Sequence, residues 1–305
     1  MVKSDWGTRE WFERMCDPTY ADSYGDRWGH KWRGSEKHRY SQCLELLRPI
    51  FVQNGGQLDV LDIGCAFGDF TERLWKLNTQ NNIYGVDISR NAIAIASERL
   101  PRLQFKVNAL PDLKFPDNSF NIVFCLEILY YLDFEEKRKS LDSIRRILKP
   151  EGYLFVSGTL DNGKRYLNRE EILKLIPEAG FKLREVRYLY GRLYVVIERM
   201  ILLLRSYVVI LGEVIKMPEL EYKQWLKGRK SNLGLSLVNW FRKSILALPW
   251  CNKVFSKILH ISEIILRYSI TSKSTVVFFN GITESLLRDK GITKIIILAE
   301  NPNAH

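Results

Sequence analysis

Residues 60–69, Val-Leu-Asp-Ile-Gly-Cys-Ala-Phe-Gly-Asp, constrain the fold of this chain more than any other stretch. A short apolar strand ends in Asp62-Ile63-Gly64, and a helix pattern follows within five residues. Gly64 and Gly68 let the backbone turn tightly and approach a ligand closely. In an open parallel sheet the ligand crevice lies at the carboxyl ends of the strands, which is where Asp62 and both glycines stand. The glycines are spaced Gly-x-x-x-Gly, so the dinucleotide fingerprint Gly-x-Gly-x-x-Gly is missing at this turn. A polyphosphate favours a helix N-terminus without a nearby carboxylate. Asp62 and Asp69 flank this one, so the loop suits a cationic ligand better.

The rest of the chain repeats the alternation. Apolar strand runs at 58–64, 83–89, 103–109, 120–127, 148–158 and 181–191 enclose helix patterns at 71–77, 91–100, 135–148 and 169–179. A final strand pattern occupies 293–300. Strands alternating with helices of this length predict an α/β fold, a doubly wound parallel sheet with helices on both faces. Hydrophobic residues are 46% of the 305 and charged residues 27%, which fits a folded chain and excludes a disordered or collagen-like one. The five cysteines form no Cys-x-x-Cys pair, so neither a disulfide framework nor a zinc site is expected and no metal is called for. The polar, Trp-bearing start does not read as a secretory leader, so none is expected. Together these features predict a cytoplasmic protein.

Charge divides the chain. Residues 1–190 hold 29 basic and 27 acidic residues, whereas 191–305 hold 17 and 8. A boundary near 190 follows. Four parts are expected: an aromatic-rich lid segment at 1–43, a ligand-binding domain at 44–190, a basic amphipathic helical insertion at 191–272, and a return to the core sheet at 273–305. Within 192–216 the charged residues Arg192, Glu198, Arg199, Arg205, Glu213 and Lys216 share one helical arc. They interrupt the apolar run, so this segment does not read as a spanning helix. A second amphipathic helix is expected at 252–270, a strand at 275–280 and a helix at 284–290.

The second strand ends in Gly85-Val-Asp87-Ile-Ser, and an acidic residue there can accept two hydrogen bonds from ribose hydroxyls. Ile88 can pack on an adenine face, and Asn108-Ala109 closes the third strand within reach of the adenine edge. These pieces, with the loop 109–132 and Leu-Lys-Pro-Glu-Gly-Tyr-Leu-Phe-Val-Ser-Gly at 148–158, occur in the order of one family. They resemble the class I S-adenosylmethionine-dependent methyltransferases. The resemblance spans about 44–191 and resumes at the final strand. It implies a Rossmann-like, doubly wound seven-stranded sheet with an antiparallel last strand, the helical insertion lying between strands 6 and 7. It also implies S-adenosyl-L-methionine as cofactor. Carried over by position, Asp62, Gly64, Cys65, Ala66 and Gly68 match the loop around the methionine moiety. Asp87 matches the ribose ligand, Ile88 its adenine neighbour, and Asn108 with Ala109 the adenine edge. Leu126 and Glu127 stand where the fourth strand meets the sulfonium. The family often has Asp at the place of Asn108, so the charge there is lost while an acceptor remains. Cys65 reads as packing rather than as a nucleophile.

A methyl acceptor with a high pKa needs a general base within about 3 Å. Tyr130, Tyr131 and Asp133 follow the fourth strand, and Tyr24, His30 and His38 lie in the lid segment. Of these, Tyr131 and His30 are the expected catalytic residues. The N-terminal aromatics with Leu-Glu-Ile-Leu-Tyr-Tyr-Leu at 126–132 are also similar to the rhizobial nodulation N-methyltransferases. That likeness favours a small-molecule, sugar, glycan or lipid-linked acceptor, and leaves oxygen and nitrogen both open. The insertion has two uses: a helical cap, or docking on an anionic membrane surface through 191–270, which would place the protein peripherally on the inner face of the membrane. Its basic, Trp-containing stretch (Lys227, Arg229, Lys230, Arg242, Lys243, with Trp225 and Trp240) admits nucleic acid as a third partner, and an RNA methyltransferase as the alternative function. Nucleic acid is the less favoured partner. A non-enzymatic binding module is disfavoured by the intact Asp62, Gly64, Gly68 and Asp87.

Overall fold

A computed structural model of the chain describes residues 5–17, 30, 33–54, 56–161, 165–227 and 292–302, with isolated positions 242, 257, 261, 262, 264–266 and 268. The chain divides into two compact units, Met1–Arg192 with Asn280–His305, and Leu193–Phe279.

In the first unit, helices α1 (Arg9–Met15) and α2 (Gly34–Asn54) precede a run of β1 (Asp59–Ile63), α3 (Asp69–Leu77), β2 (Asn82–Asp87), α4 (Arg90–Arg99), β3 (Gln104–Val107) and β4 (Phe120–Leu126). A 3₁₀ turn (Leu129–Tyr131) leads into α5 (Phe134–Ile147), β5 (Leu148–Thr159), α6 (Arg169–Glu178) and β6 (Lys182–Gly191). Strand β7 (Ile292–Glu300) completes a seven-stranded sheet in the order β3-β2-β1-β4-β5-β7-β6. The first five strands in that order pair in parallel. Strand β7 runs antiparallel to both neighbours, from Tyr153↔Glu300 on one side to Lys182↔Glu300 on the other. The predicted doubly wound sheet with one antiparallel strand is therefore present, its element ends differing from the sequence reading by one or two residues.

Both faces of the sheet are covered, which is why β1, β4 and β5 read as nearly continuous apolar runs. On one face Tyr40 of α2 stacks on Phe70 of α3 (4.8 Å between centroids), Phe70 meets Phe124 of β4 edge-on at 5.1 Å, and Phe124 stacks on Phe155 of β5 at 4.5 Å. On the other face Leu141 and Ile144 of α5 and Ile172 and Ile176 of α6 join Val123, Val156 and Ile297 in one buried cluster. Helix starts are capped locally. Asp133 Oδ1 accepts the Glu136 N–H (2.9 Å) while Glu136 Oε2 accepts the Asp133 N–H (3.0 Å), a reciprocal box at the start of α5. That accounts for Asp133, a candidate base in the sequence: its carboxylate is committed to the helix.

In the second unit, α7 (Arg192–Lys216) follows β6, and α8 (Glu219–Lys227) follows α7 after a short turn. Val214 of α7 packs with Tyr222 of α8, and Arg242 Nε donates to the Val214 carbonyl (2.9 Å). Among the described residues no helix is long and apolar enough to cross a membrane. Apart from the isolated positions, the segments expected at 252–270, 275–280 and 284–290 lie outside the described residues, as do Tyr24 and Trp240.

Candidate functional site

At the carboxyl ends of β1, β2 and β4 lies a cavity of about 420 Å³, counting space open to solvent. Its floor is Gly64 and Ala66 after β1, Asp87 at the end of β2, and Leu126, Glu127 and Ile128 at the end of β4. Phe12, Cys16 and His30 from the N-terminal segment and Tyr130 and Tyr131 from the 3₁₀ turn line the rest. Such a position suits a small ligand.

The turn after β1 has three residues with left-handed backbones, Gly64 (φ 73°), Ala66 (φ 46°) and Gly68 (φ 78°). That conformation aims backbone N–H groups at neighbouring acceptors. Gly64 and Cys65 donate to the Val86 carbonyl (2.7 and 3.0 Å), and Ala66 donates to Asp87 Oδ2 (2.9 Å). Asp87 Oδ1 accepts the Ser89 N–H at 2.9 Å. Each Asp87 oxygen thus holds one backbone donor and keeps a further lone pair for a ligand hydroxyl. Burial raises the Asp87 pKa above the usual carboxylate value, and the backbone donors from Ser89 and Ala66 only partly offset this.

Beside it, Asn108 donates its backbone N–H to the Asp87 carbonyl (3.0 Å) and accepts the Ala109 N–H on Oδ1 (3.0 Å). Its Nδ2 is buried with no hydrogen-bond partner. A buried amide donor left without an acceptor costs about 1–3 kcal/mol, and a ring nitrogen of a purine would satisfy it. The residues present therefore fit an adenosine-bearing cofactor: Asp87 for the ribose, Asn108 for the base, and Gly64 with Ala66 where the backbone must approach closely.

Seven of the residues expected from the sequence, His30, Gly64, Ala66, Asp87, Leu126, Glu127 and Tyr131, are brought to the cavity wall. Asp62, Cys65, Gly68, Ile88, Asn108 and Ala109 do not line it. Asp62 faces inward and accepts a hydrogen bond from Thr71 Oγ1 (2.7 Å); burial pushes its pKa up to about 7. Asp69 pairs with Arg99 (2.6 Å). Both carboxylates flanking the loop thus have partners within the protein. Gly68 caps α3. The thiols of Cys16, Cys43, Cys65 and Cys125 are all buried with raised pKa values, chiefly through burial, so none is a ready nucleophile.

Glu127 is the most constrained residue of the site. Its backbone sits at φ 61°, a strained value for a non-glycine. Its side chain accepts from Ser157 Oγ (3.2 Å) and Thr159 Oγ1 (3.1 Å), with Lys294 Nζ at 3.6 Å and Arg39 Nε at 3.8 Å. Arg39 is fully buried and pairs with Glu36, which Lys294 also reaches at 2.8 Å. Burial opposes ionisation of Glu36, yet Arg39 and Lys294 hold its carboxyl well below the usual range. Burial pushes the Tyr131 phenol up to about 12. At neutral pH it is a hydrogen-bond donor. Around it stand Trp6 (4.7 Å between centroids), Phe12 (4.9 Å) and Tyr130 (4.6 Å).

Sequence reasoning missed three contributors. Glu13 of α1 accepts from the N–H groups of Arg90 (2.8 Å) and Asn91 (3.1 Å) and from Ser89 Oγ (2.8 Å), which ties the N-terminal segment to the start of α4. Arg39 and Lys294 were likewise invisible. Arg39 pairs with Glu36 only three residues away, but its approach to Glu127 and the reach of Lys294 to Glu36 and Glu127 span much of the chain, and no local spacing reports them.

Residues 60–152 match the profile of a family described as a methyltransferase domain. Nodulation protein S of Sinorhizobium fredii is 27% identical over 174 residues, covering 55% of this chain and 76% of that protein. The crystal structure of the N-methyltransferase NodS from Bradyrhizobium japonicum, solved with S-adenosylhomocysteine, superposes with a TM-score of 0.50 at 25% identity, over 61% of this chain and 92% of that one. Residues 60–152 thus match a methyltransferase domain, and the chain is similar to S-adenosylmethionine-dependent methyltransferases. The mitochondrial ubiquinone biosynthesis O-methyltransferase of Saccharomyces cerevisiae is another relative of this methyltransferase domain, 31% identical over 136 residues, 40% of this chain and 42% of that protein. Alignments to the first curated relatives span less than half of their length. The matched segment of the methyltransferase domain contains β1, β2, β3, β4 and the first part of β5, hence most of the cavity floor.

Proposed function

We propose that the chain transfers a methyl group from S-adenosyl-L-methionine to an oxygen or nitrogen of a small polar acceptor, such as a sugar, a glycan or a lipid-linked intermediate. The observation that carries this reading is the cavity itself. Asp87 forms one side with the Gly64–Ala66 turn, and Glu127 with the rings of Phe12, Tyr130 and Tyr131 forms another. The cofactor supplies a methyl carbon already activated by a sulfonium. The protein has to hold the acceptor in line and exclude water, and alignment alone supplies about 7–11 kcal/mol of the barrier. Aromatic rings beside a carboxylate acceptor are suited to a hydroxyl-rich ring or an amine. The Tyr131 phenol, protonated at neutral pH, can donate to the acceptor atom's neighbour. Glu127 and His30 are the groups on this wall able to accept the proton that the acceptor loses. The relatives fall on both sides of the oxygen–nitrogen divide, one named as an O-methyltransferase and one as an N-methyltransferase.

Titration calorimetry with S-adenosylhomocysteine tests the reading. The wild-type chain is expected to bind, and Asp87→Ala to weaken binding by ~1.5–3 kcal/mol as charge-assisted bonds to the ribose are lost. Absence of binding to the wild-type chain would overturn the enzyme assignment.

A further inference from the structure

Helix α7 exposes a row of large apolar side chains. Tyr194 and Glu198 are buried, and the Tyr194 hydroxyl donates to Glu198 Oε1 (3.1 Å). Val196, Met200, Leu203, Leu204 and Ile210 are 51%, 57%, 60%, 53% and 38% exposed. At ~100° per residue these five fall within one arc of roughly 120°, a continuous stripe about 21 Å long at ~1.5 Å per residue. Arg199, also exposed, borders the stripe. Ile261, Ile264, Ile265 and Tyr268 of the same unit are exposed at helical spacing. An exposed apolar stripe of this length calls for a covering partner.

Charge selects the partner. Residues 193–279 hold 13 basic and 5 acidic residues, a net +8. Two copies of so basic a unit repel each other, which disfavours a homodimer. Aliphatic stripes offer nothing to a phosphodiester or a base edge, which disfavours nucleic acid. Among the described residues no helix crosses a membrane. An exposed apolar stripe bordered by Arg199, in a unit with this net charge, matches a bilayer interface with anionic headgroups.

We propose that the second unit docks on an anionic membrane surface, with α7 lying in the plane of the interface. Val196, Met200, Leu203, Leu204 and Ile210 enter the boundary between headgroups and acyl chains, and the basic residues meet lipid phosphates. Long basic side chains such as Arg199 reach the headgroups while their stems cover apolar surface. Such docking would bring the protein to acceptors that are themselves held in a membrane, although it does not depend on the methyl-transfer reading.

Co-sedimentation of the full chain with phosphatidylcholine vesicles containing phosphatidylglycerol, against pure phosphatidylcholine, is the test. Binding to the anionic vesicles is expected to be at least about tenfold stronger and to weaken with added salt. Met200→Glu with Leu203→Glu is expected to lower it about tenfold or more with an unchanged unfolding midpoint, since both side chains are more than half exposed. Arg199→Glu, measured separately, is expected to lower it about fivefold or more. The proposal is overturned if the wild-type chain fails to pellet with anionic vesicles, or pellets equally with neutral ones. It is also overturned if both variants bind like wild type, if light scattering finds a dimer that the double variant dissociates, or if the unit prefers RNA to vesicles at the same salt.

Discussion

Gly64→Ala probes the turn on which the site depends, and its cost can be worked from geometry. A Cβ at Gly64 would stand 2.2 Å from Ile128 Cδ1 and 2.7 Å from Cγ1, against about 3.5–4.0 Å for carbon atoms in contact. The Ile128 side chain must therefore swing off its rotamer, at about 0.5–1.5 kcal/mol. The backbone at φ 73° adds about 1–2 kcal/mol for any residue with a Cβ. Alanine recovers about 0.4–1 kcal/mol by stiffening the unfolded chain. The net expectation is a loss of about 2 kcal/mol in urea denaturation, or about 4–8 °C in midpoint for a unit of this size. Ile128 also lines the cavity, so affinity for S-adenosylhomocysteine should fall as well. A double-mutant cycle with Ile128→Ala separates the two costs. Removing the obstructing side chain should return about 1 kcal/mol of coupling and leave the backbone strain. A Gly64→Ala chain within 0.5 kcal/mol of wild type, or a cycle with no coupling (both on the order of measurement error), would refute the geometry.

Other perturbations follow from the buried charges. Asp62 holds its proton more tightly folded, with its pKa pushed up to about 7, than unfolded, so its contribution to stability falls as pH rises toward 7. Asp62→Asn should therefore gain roughly 2–3 kcal/mol relative to wild type between about pH 5 and pH 7.5 in urea denaturation, and a pH-independent difference would sink this account. Arg39→Met strands Glu36 and Glu127 beside Lys294 alone and should cost about 3–5 kcal/mol, with Arg39→Met/Glu36→Leu recovering at least half; a double variant no better than the single one would speak against a charge origin. Burial opposes ionisation of Glu13, but the donors of Arg90, Asn91 and Ser89 outweigh it and lower its pKa. Its stabilisation is thus present at neutral pH and lost as pH falls through that lowered value. Glu13→Ala should cost about 1–2 kcal/mol at neutral pH and speed proteolysis within residues 5–17, and an unchanged cleavage rate would contradict the clasp.

Much of the architecture was legible because its causes are local. An apolar run, a glycine turn and a 3.6-residue period each act over a few residues, so β1, α3, β2 and α5 could be placed to within a residue or two. Asp87 was legible for the same reason, standing at the last position of a strand in a fold whose crevice is known by topology. The roles of Asp62 and Asp133 were not, because a carboxylate near a crevice looks the same whether it meets a ligand, a threonine or a helix start. Their partners Thr71 and Glu136 were in view, but the direction of each side chain was not.

Sequence alone determined the order of strands and helices, the left-handed turn at Gly64, the acidic end of β2, and a charge excess confined to the last third of the chain. Tertiary structure alone decided which residues meet. Glu13 reaches the start of α4 from 76–78 positions away, and Lys294 reaches Glu36 across 258. It also decided that α7 turns Glu198 inward and Met200 outward, although periodicity had marked one side polar and the other apolar. A helical period fixes the relative angle of two faces, and only packing chooses which of them is turned to solvent.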